Sequence, residues 1–120
     1  MYRYYSVVVW TMGVPDYAGP VLDYIEDKVK LQYGIKKVFT QRLYKRSCEE
    51  NGCKDLNKLN VDLTKVVAVD DLENSFLQSE NQLVIPRYEG NKEDAELTKL
   101  GSFLKQQSKL DDVRFGLDNY

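Results

Sequence analysis

Three polar side chains, Thr11, Lys54 and Asp70, stand just past patterned stretches of sequence. Thr11 follows the apolar run Val7-Val8-Val9-Trp10, Lys54 opens a short helical turn read over Asp55 to Asn60, and Asp70 follows Lys65-Val66-Val67-Ala68-Val69. A hydroxyl, an ammonium and a carboxylate together suit phosphate chemistry. The threonine donates to a phosphoryl oxygen, the lysine neutralises charge, and Asp70 ligates Mg²⁺, a cation that takes oxygen ligands. In an open α/β sheet ligands sit outside the carboxyl ends of the strands, so residues from two strand ends can share a cleft. Each residue also has a plain structural reading: a strand-end hydroxyl for Thr11, a solvated amine for Lys54, and a helix cap for Asp70 and Asp71.

Composition narrows what such a site can belong to. The chain has 120 residues, with 17 Lys+Arg against 19 Asp+Glu and a net charge of −2, which fits one small domain, residues 1–120, around one core. A protein that neutralises many phosphates along a nucleic acid needs a clear basic excess, so nucleic acid is not the expected partner. The sequence has no histidine. Ser-His-Asp and Cys-His nucleophiles, imidazole bases and histidine-containing zinc sites therefore drop out, and any catalysis would run on carboxylates, lysines or hydroxyls. The two cysteines, Cys48 and Cys53, are too few for a structural zinc site without histidine and read as reduced thiols. No unbroken apolar run exceeds that of Val7 to Trp10, far short of the roughly 20 residues of a bilayer-spanning helix, so the chain is not expected to span a membrane. Its opening residues, Met1-Tyr2-Arg3-Tyr4-Tyr5-Ser6, have the features of neither a secretory signal nor a transit peptide.

The elements that must position these residues follow from periodicity. Short apolar runs alternating with amphipathic helical stretches are the pattern of a parallel sheet with crossover helices, so the fold class is read as α/β. Val7 to Trp10 is continuous and β-branched, as in a central strand buried on both faces. Gly19-Pro20 reads as a helix start, with Val21, Leu22, Ile25 and Val29 on one face and an end before Tyr33-Gly34. Lys36 to Leu43 reads as a more exposed strand, with Arg42, Lys45 and Arg46 forming a solvated basic face. Lys65 to Val69 is the second buried strand, and Leu83-Val84-Ile85, ahead of Pro86, a third. Asn91 is expected to cap a last helix, with Glu93, Asp94 and Glu96 in its first turn and Leu97, Leu100, Phe103 and Leu104 as its apolar stripe. Val113 and Leu117 sit in a final turn. Tyr2, Tyr4 and Tyr5 cover either the domain's own core or a partner.

Six segments stand in a telling order: Val9-Trp10-Thr11-Met12-Gly13-Val14-Pro15-Asp16-Tyr17-Ala18-Gly19-Pro20-Val21; Arg42-Leu43-Tyr44-Lys45-Arg46-Ser47-Cys48; Lys54-Asp55-Leu56 with Leu59-Asn60-Val61-Asp62-Leu63; Val66-Val67-Ala68-Val69-Asp70-Asp71; Ser75-Phe76 with Glu80-Asn81; and Asp112-Val113-Arg114. Over nearly the whole chain this order resembles the haloacid dehalogenase superfamily. Within it, the resemblance is to the NLI-interacting-factor-like phosphatases that act on the RNA polymerase II C-terminal domain. It implies that Thr11 and Lys54 hold the transferring phosphoryl group and that Asp70, with Asp71, helps to hold Mg²⁺.

The family's nucleophile motif, Asp-x-Asp-x-Thr on the first strand, belongs upstream of Val7, and no aspartate precedes Asp16. The expectation is therefore a three-layer Rossmann-like fold truncated at its N-terminus and lacking the central first strand. In family terms the first of those aspartates is phosphorylated and the second is the acid/base, and without the attacking group the covalent step is lost. The absent strand would lie between those of Val66 to Val69 and Val7 to Trp10, leaving two apolar edges open. Three outcomes are open: the two strands pair directly, a strand from another polypeptide is inserted, or Met1 is not the biological start. The expected function is a non-catalytic phosphatase-like domain serving as a structural or protein-binding subunit of a larger assembly, with no cofactor. The same resemblance takes in a mitochondrial inner-membrane translocase receptor that works by binding, which favours a mitochondrial location. The alternative is a fragment or split half of a Mg²⁺-dependent protein Ser/Thr phosphatase, its Asp-x-Asp-x-Thr strand upstream or on another chain. A small-molecule phosphatase is a third reading, for whose usual cap insertion the chain has no room.

Overall fold

In the computed structural model, which describes residues 4–35, 37–87, 90 and 95–120, the chain divides into two compact units, Met1–Gly52 and Cys53–Tyr120. In the first, the β-branched run after Ser6 forms strand β1 (Val8–Trp10), paired in parallel with β2 (Gln41–Leu43) so that Val9 lies opposite Arg42. The Thr40 N–H donates to the Val7 carbonyl at 2.8 Å and the Thr11 N–H to that of Leu43 at 2.9 Å, extending the ladder at both ends. Parallel strands need a crossover, and helix α1 (Pro15–Tyr33) supplies it.

The helix begins at Pro15, ahead of the Gly19-Pro20 start read from the sequence. Pro15 takes the first turn, where a missing N–H costs nothing, and Pro20 falls inside the helix. Gly34 ends it in the left-handed region at φ 68°, donating its N–H to Lys30 at 2.8 Å. The buried face is Ala18 and Leu22, with Val29 half-buried, while Val21 and Ile25 are exposed. Glu26 shares that inner side and pairs with Arg42. Arg42 is therefore not part of a solvated face, although Lys45 and Arg46 are exposed. Nor is β1 buried on both faces: Val8 is exposed and Val9 and Trp10 are half-buried. Burial on both faces needs neighbours on both edges and layers above and below, and among the described residues β2 is the only strand that pairs with β1. Of the N-terminal tyrosines, Tyr4 is exposed and Tyr5 half-buried; Tyr2 lies outside the described residues, as does Lys36.

In the second unit a 3₁₀ turn, Leu56–Leu59, is capped by Asp55, which accepts the Asn57 N–H at 3.0 Å. Strand β3 (Ala68–Asp70) pairs in parallel with β4 (Gln82–Val84), with Val69 opposite Leu83. Both strands are short, and in β3 only Ala68 is fully buried. Helix α2 (Glu96–Gln107) packs Leu100 against Leu83 and Leu117, with Val69, Ile85, Phe103 and Leu104 around them. Leu97, read as part of that stripe, is 75% exposed; it lies in the first turn of α2, where it walls an open cleft instead of the core. The expected cap at Asn91, with Glu93 and Asp94, lies outside the described residues.

Two buried amides hold this unit's loops. Gln107 donates to the carbonyls of Val113 and Phe115 at 2.9 and 2.7 Å, tying the end of α2 to the last turn. Asn81, fully buried, donates to those of Leu63 and Val66 at 2.7 and 2.8 Å. Helices and parallel strands in this mixture are consistent with the α/β class.

Candidate functional site

Lys54 is 7% exposed, so it is not a solvated amine. Its backbone makes an isolated parallel bridge with Phe76: the Lys54 N–H donates to Ser75 at 2.9 Å and the Leu77 N–H donates to the Lys54 carbonyl at 2.8 Å. The side chain runs over the Phe76 ring, with Nζ 5.2 Å from its centre, and ends 3.2 Å from Asp70 Oδ2. A buried ammonium needs such partners, because desolvating an unpaired charge is costly.

Asp70 ends β3 and is held from its other oxygen. Oδ1 accepts the Leu72 N–H at 3.1 Å, closing a turn with no helix after it, so neither Asp70 nor Asp71 caps one. Burial pushes the Asp70 carboxyl up; the Leu72 amide, the hydrogen bond and charge of Lys54, and Asp71 outweigh it, and the net direction is down. Asp70 is therefore an ionised acceptor at neutral pH. An open cleft of about 380 Å³ lies beside Asp70 and the exposed Asp71, walled by Val69, Ile85, Pro86 and Leu97, with Glu96 at its edge.

Asp70 and Asp71 supply oxygen donors of the kind Mg²⁺ takes, yet both Asp70 oxygens are engaged, one by Lys54 and one by Leu72. Among the described residues no group of three or more His, Cys, Asp or Glu is placed to hold a metal ion. Each of those oxygens keeps a second lone pair, but two carboxylates are too few for the oxygen shell that Mg²⁺ takes, so holding it would need oxygens from elsewhere.

Of the three residues read from the sequence, Lys54 and Asp70 are brought together, whereas Thr11 belongs to the first unit. There its Oγ1 accepts the Gly13 N–H at 3.0 Å, the behaviour of a strand-end hydroxyl shaping a turn. Gly13 lets that turn pack closely, since a Cβ would stand 3.2 Å from the Ala18 Cβ and 3.4 Å from Thr11 Oγ1 and would press on them by a few tenths of an ångström.

Phe76 lies beneath the Lys54 ammonium, a role that its place in the Ser75-Phe76 segment does not reveal. Gln78, whose amide accepts from Leu56 and donates to Asp55, carries no signal in the sequence that marks it out from its polar neighbours.

Known proteins similar to this chain carry phosphatase and translocase names. A probable C-terminal domain small phosphatase from Dictyostelium discoideum is 34% identical over 118 residues, covering 95% of this chain and 36% of that protein. The mitochondrial import inner membrane translocase subunit TIM50 of Caenorhabditis elegans is 34% identical over 124 residues, 99% of this chain and 26% of its own length. Phosphatase Herzog of Drosophila melanogaster is 32% identical over 113 residues, 91% and 30% respectively. The chain thus spans about a quarter to a third of the length of these relatives. The described chain contains no helix long and apolar enough to cross a membrane. Residues 1–114, which take in the first unit and most of the second, match the family described as NLI interacting factor-like phosphatase, and the chain belongs to that family.

Proposed function

We propose that this chain is the phosphatase-like part of a protein-binding subunit in a larger assembly, its sheet completed by a strand from outside the described residues. The observation that supports this is the edge of β3. Among the described residues β3 pairs with β4 alone, although parallel strands of this composition normally lie inside a sheet. A bare edge of that kind either invites unspecific pairing or receives a partner strand. The relatives named for mitochondrial import support the binding role and a mitochondrial setting.

A second reading is a Mg²⁺-dependent phosphoserine/threonine phosphatase whose Asp-x-Asp-x-Thr strand lies upstream or on another chain. The Lys54–Asp70 pair favours it, because a preset cation at the end of β3 is where a phosphoryl group would be met. In either reading Lys54 is the group that would meet an anion.

The test uses the full-length gene product with its bound partners, assayed for Mg²⁺-dependent hydrolysis of an aryl phosphate. The binding role predicts no turnover, and partner retention nearly unchanged in Asp70→Asn. Turnover that Asp70→Asn abolishes overturns it in favour of the phosphatase.

A further inference from the structure

We propose that Gln78 is a positioning residue for Lys54: by gripping the Asp55-Leu56 peptide it decides whether the Lys54 ammonium stays against Asp70 or swings free. The inference rests on the reading of Lys54 as the anion-meeting group and identifies what holds it in place. The Gln78 amide is used at both ends. Its Oε1 accepts the Leu56 N–H at 2.8 Å, and its Nε2 donates to Asp55 Oδ1 at 2.8 Å. The residues it grips follow Lys54 directly, and the Lys54 backbone is taken by Ser75 and Leu77. One short segment, residues 75–78, therefore fixes the chain on both sides of the Lys54 Cα.

The same segment leads back to the carboxylate. Phe76 lies beneath the ammonium, and the Ser75 hydroxyl donates to the Leu72 carbonyl at 2.8 Å. The Leu72 N–H in turn donates to Asp70 Oδ1. Ammonium, carboxylate, Leu72, Ser75 and the Lys54 backbone form a closed circuit. Gln78 stands outside that circuit and locks its base. Lysine has a large rotamer freedom to lose, so a 3.2 Å contact at its tip depends on a fixed root. A carboxylate at position 78 could not donate to Asp55, and a hydrocarbon could do neither job. The Asp55 carboxyl is held below its ordinary value first by Gln78 and then by the Asn57 N–H, which agrees with the grip.

The test compares wild type with the near-isosteric Gln78→Glu and with the double variant Gln78→Glu/Asp55→Asn, in which the amide donor moves to the other partner. The full chain, labelled with ¹⁵N-lysine, is read by the ammonium signal of Lys54, assigned by its loss in Lys54→Met, and by affinity for inorganic phosphate. The expected result is a sharp Lys54 signal in wild type, its loss in the single variant and its return in the double. Phosphate affinity should fall about 3- to 10-fold in the single variant, the scale of one net hydrogen bond, and recover in the double. A Lys54 signal unchanged in Gln78→Glu overturns the proposal, and so does a folded double variant without it, which carries the test if the single variant does not fold. A signal that follows the variants while wild type binds no phosphate upholds the positioning role and rejects the anion-meeting role of Lys54 instead.

Discussion

Arg42 on β2 and Glu26 on α1 are joined by an ion pair across sixteen residues of sequence, and the same guanidinium reaches Asp23 at 2.9 Å. One arginine thus fastens the crossover helix to the strand that follows it. The Glu26 side chain is only 14% exposed and also accepts the Val38 N–H at 3.4 Å. The Arg42 hydrogen bond holds the Glu26 carboxyl below its usual value, and the Glu26 hydrogen bond raises Arg42 in return.

Arg42→Met should accordingly destabilise the first unit by about 1–3 kcal/mol, since it strands a largely buried carboxylate. Arg42→Lys should recover only part of this, because an ammonium lacks the fork that meets two carboxylates at once. Denaturant unfolding of the full chain measures both, and equal midpoints for Met and Lys would contradict the account.

Lys54→Met and Asp70→Asn should not add. Each alone leaves its partner shielded from water without its counter-charge, and the double variant removes both. A double-mutant cycle should show a coupling of about 1–3 kcal/mol, read from unfolding midpoints. Simple additivity would mean that the 3.2 Å contact contributes nothing.

Asn81→Leu keeps the branched outline of the side chain, at a larger volume, but leaves the Leu63 and Val66 carbonyls without their donor. The loss of both bonds should cost about 2–4 kcal/mol, and thermal melting is the measurement. A melt unchanged within a degree would show that these carbonyls find other donors.

Stability should also fall in acid through Asp112. Its hydrogen bonds from the Arg114 side chain, at 2.9 and 2.7 Å, lead a shift that lowers the carboxyl from 3.8 to about 2. A lowered folded value means stability that is present in full above the unfolded value of 3.8 and is lost as pH falls toward 2. Melting temperature followed between those limits should drop less steeply in Asp112→Asn than in wild type. Parallel curves would exclude the contribution.

Much of this protein is legible in its sequence. The α/β class, the strands near Val8, Ala68 and Leu83, the end of α1 to within a residue (read before Tyr33, found after it), the one-turn helix after Asp55 and the stripe of Leu100, Phe103 and Leu104 all follow from periodicity and capping chemistry, which act within a few residues. Family membership was legible too, because motif order is a property of the chain. Burial was not. Val21, Ile25 and Leu97 have the right spacing for a core face yet lie outside it, since which side of a helix is covered depends on what packs there. Nor could spacing show that Arg42 answers Glu26, or that Lys54, Asp70, Phe76 and Gln78 form one constellation. Lys54 and Asp70 are sixteen residues apart and meet at 3.2 Å only because β3 and the bridge at Phe76 carry them there. The sequence determined which groups exist and which local elements they end. Tertiary structure decided which charges meet, because a salt bridge depends on distance and desolvation, and neither is written in the order of the residues.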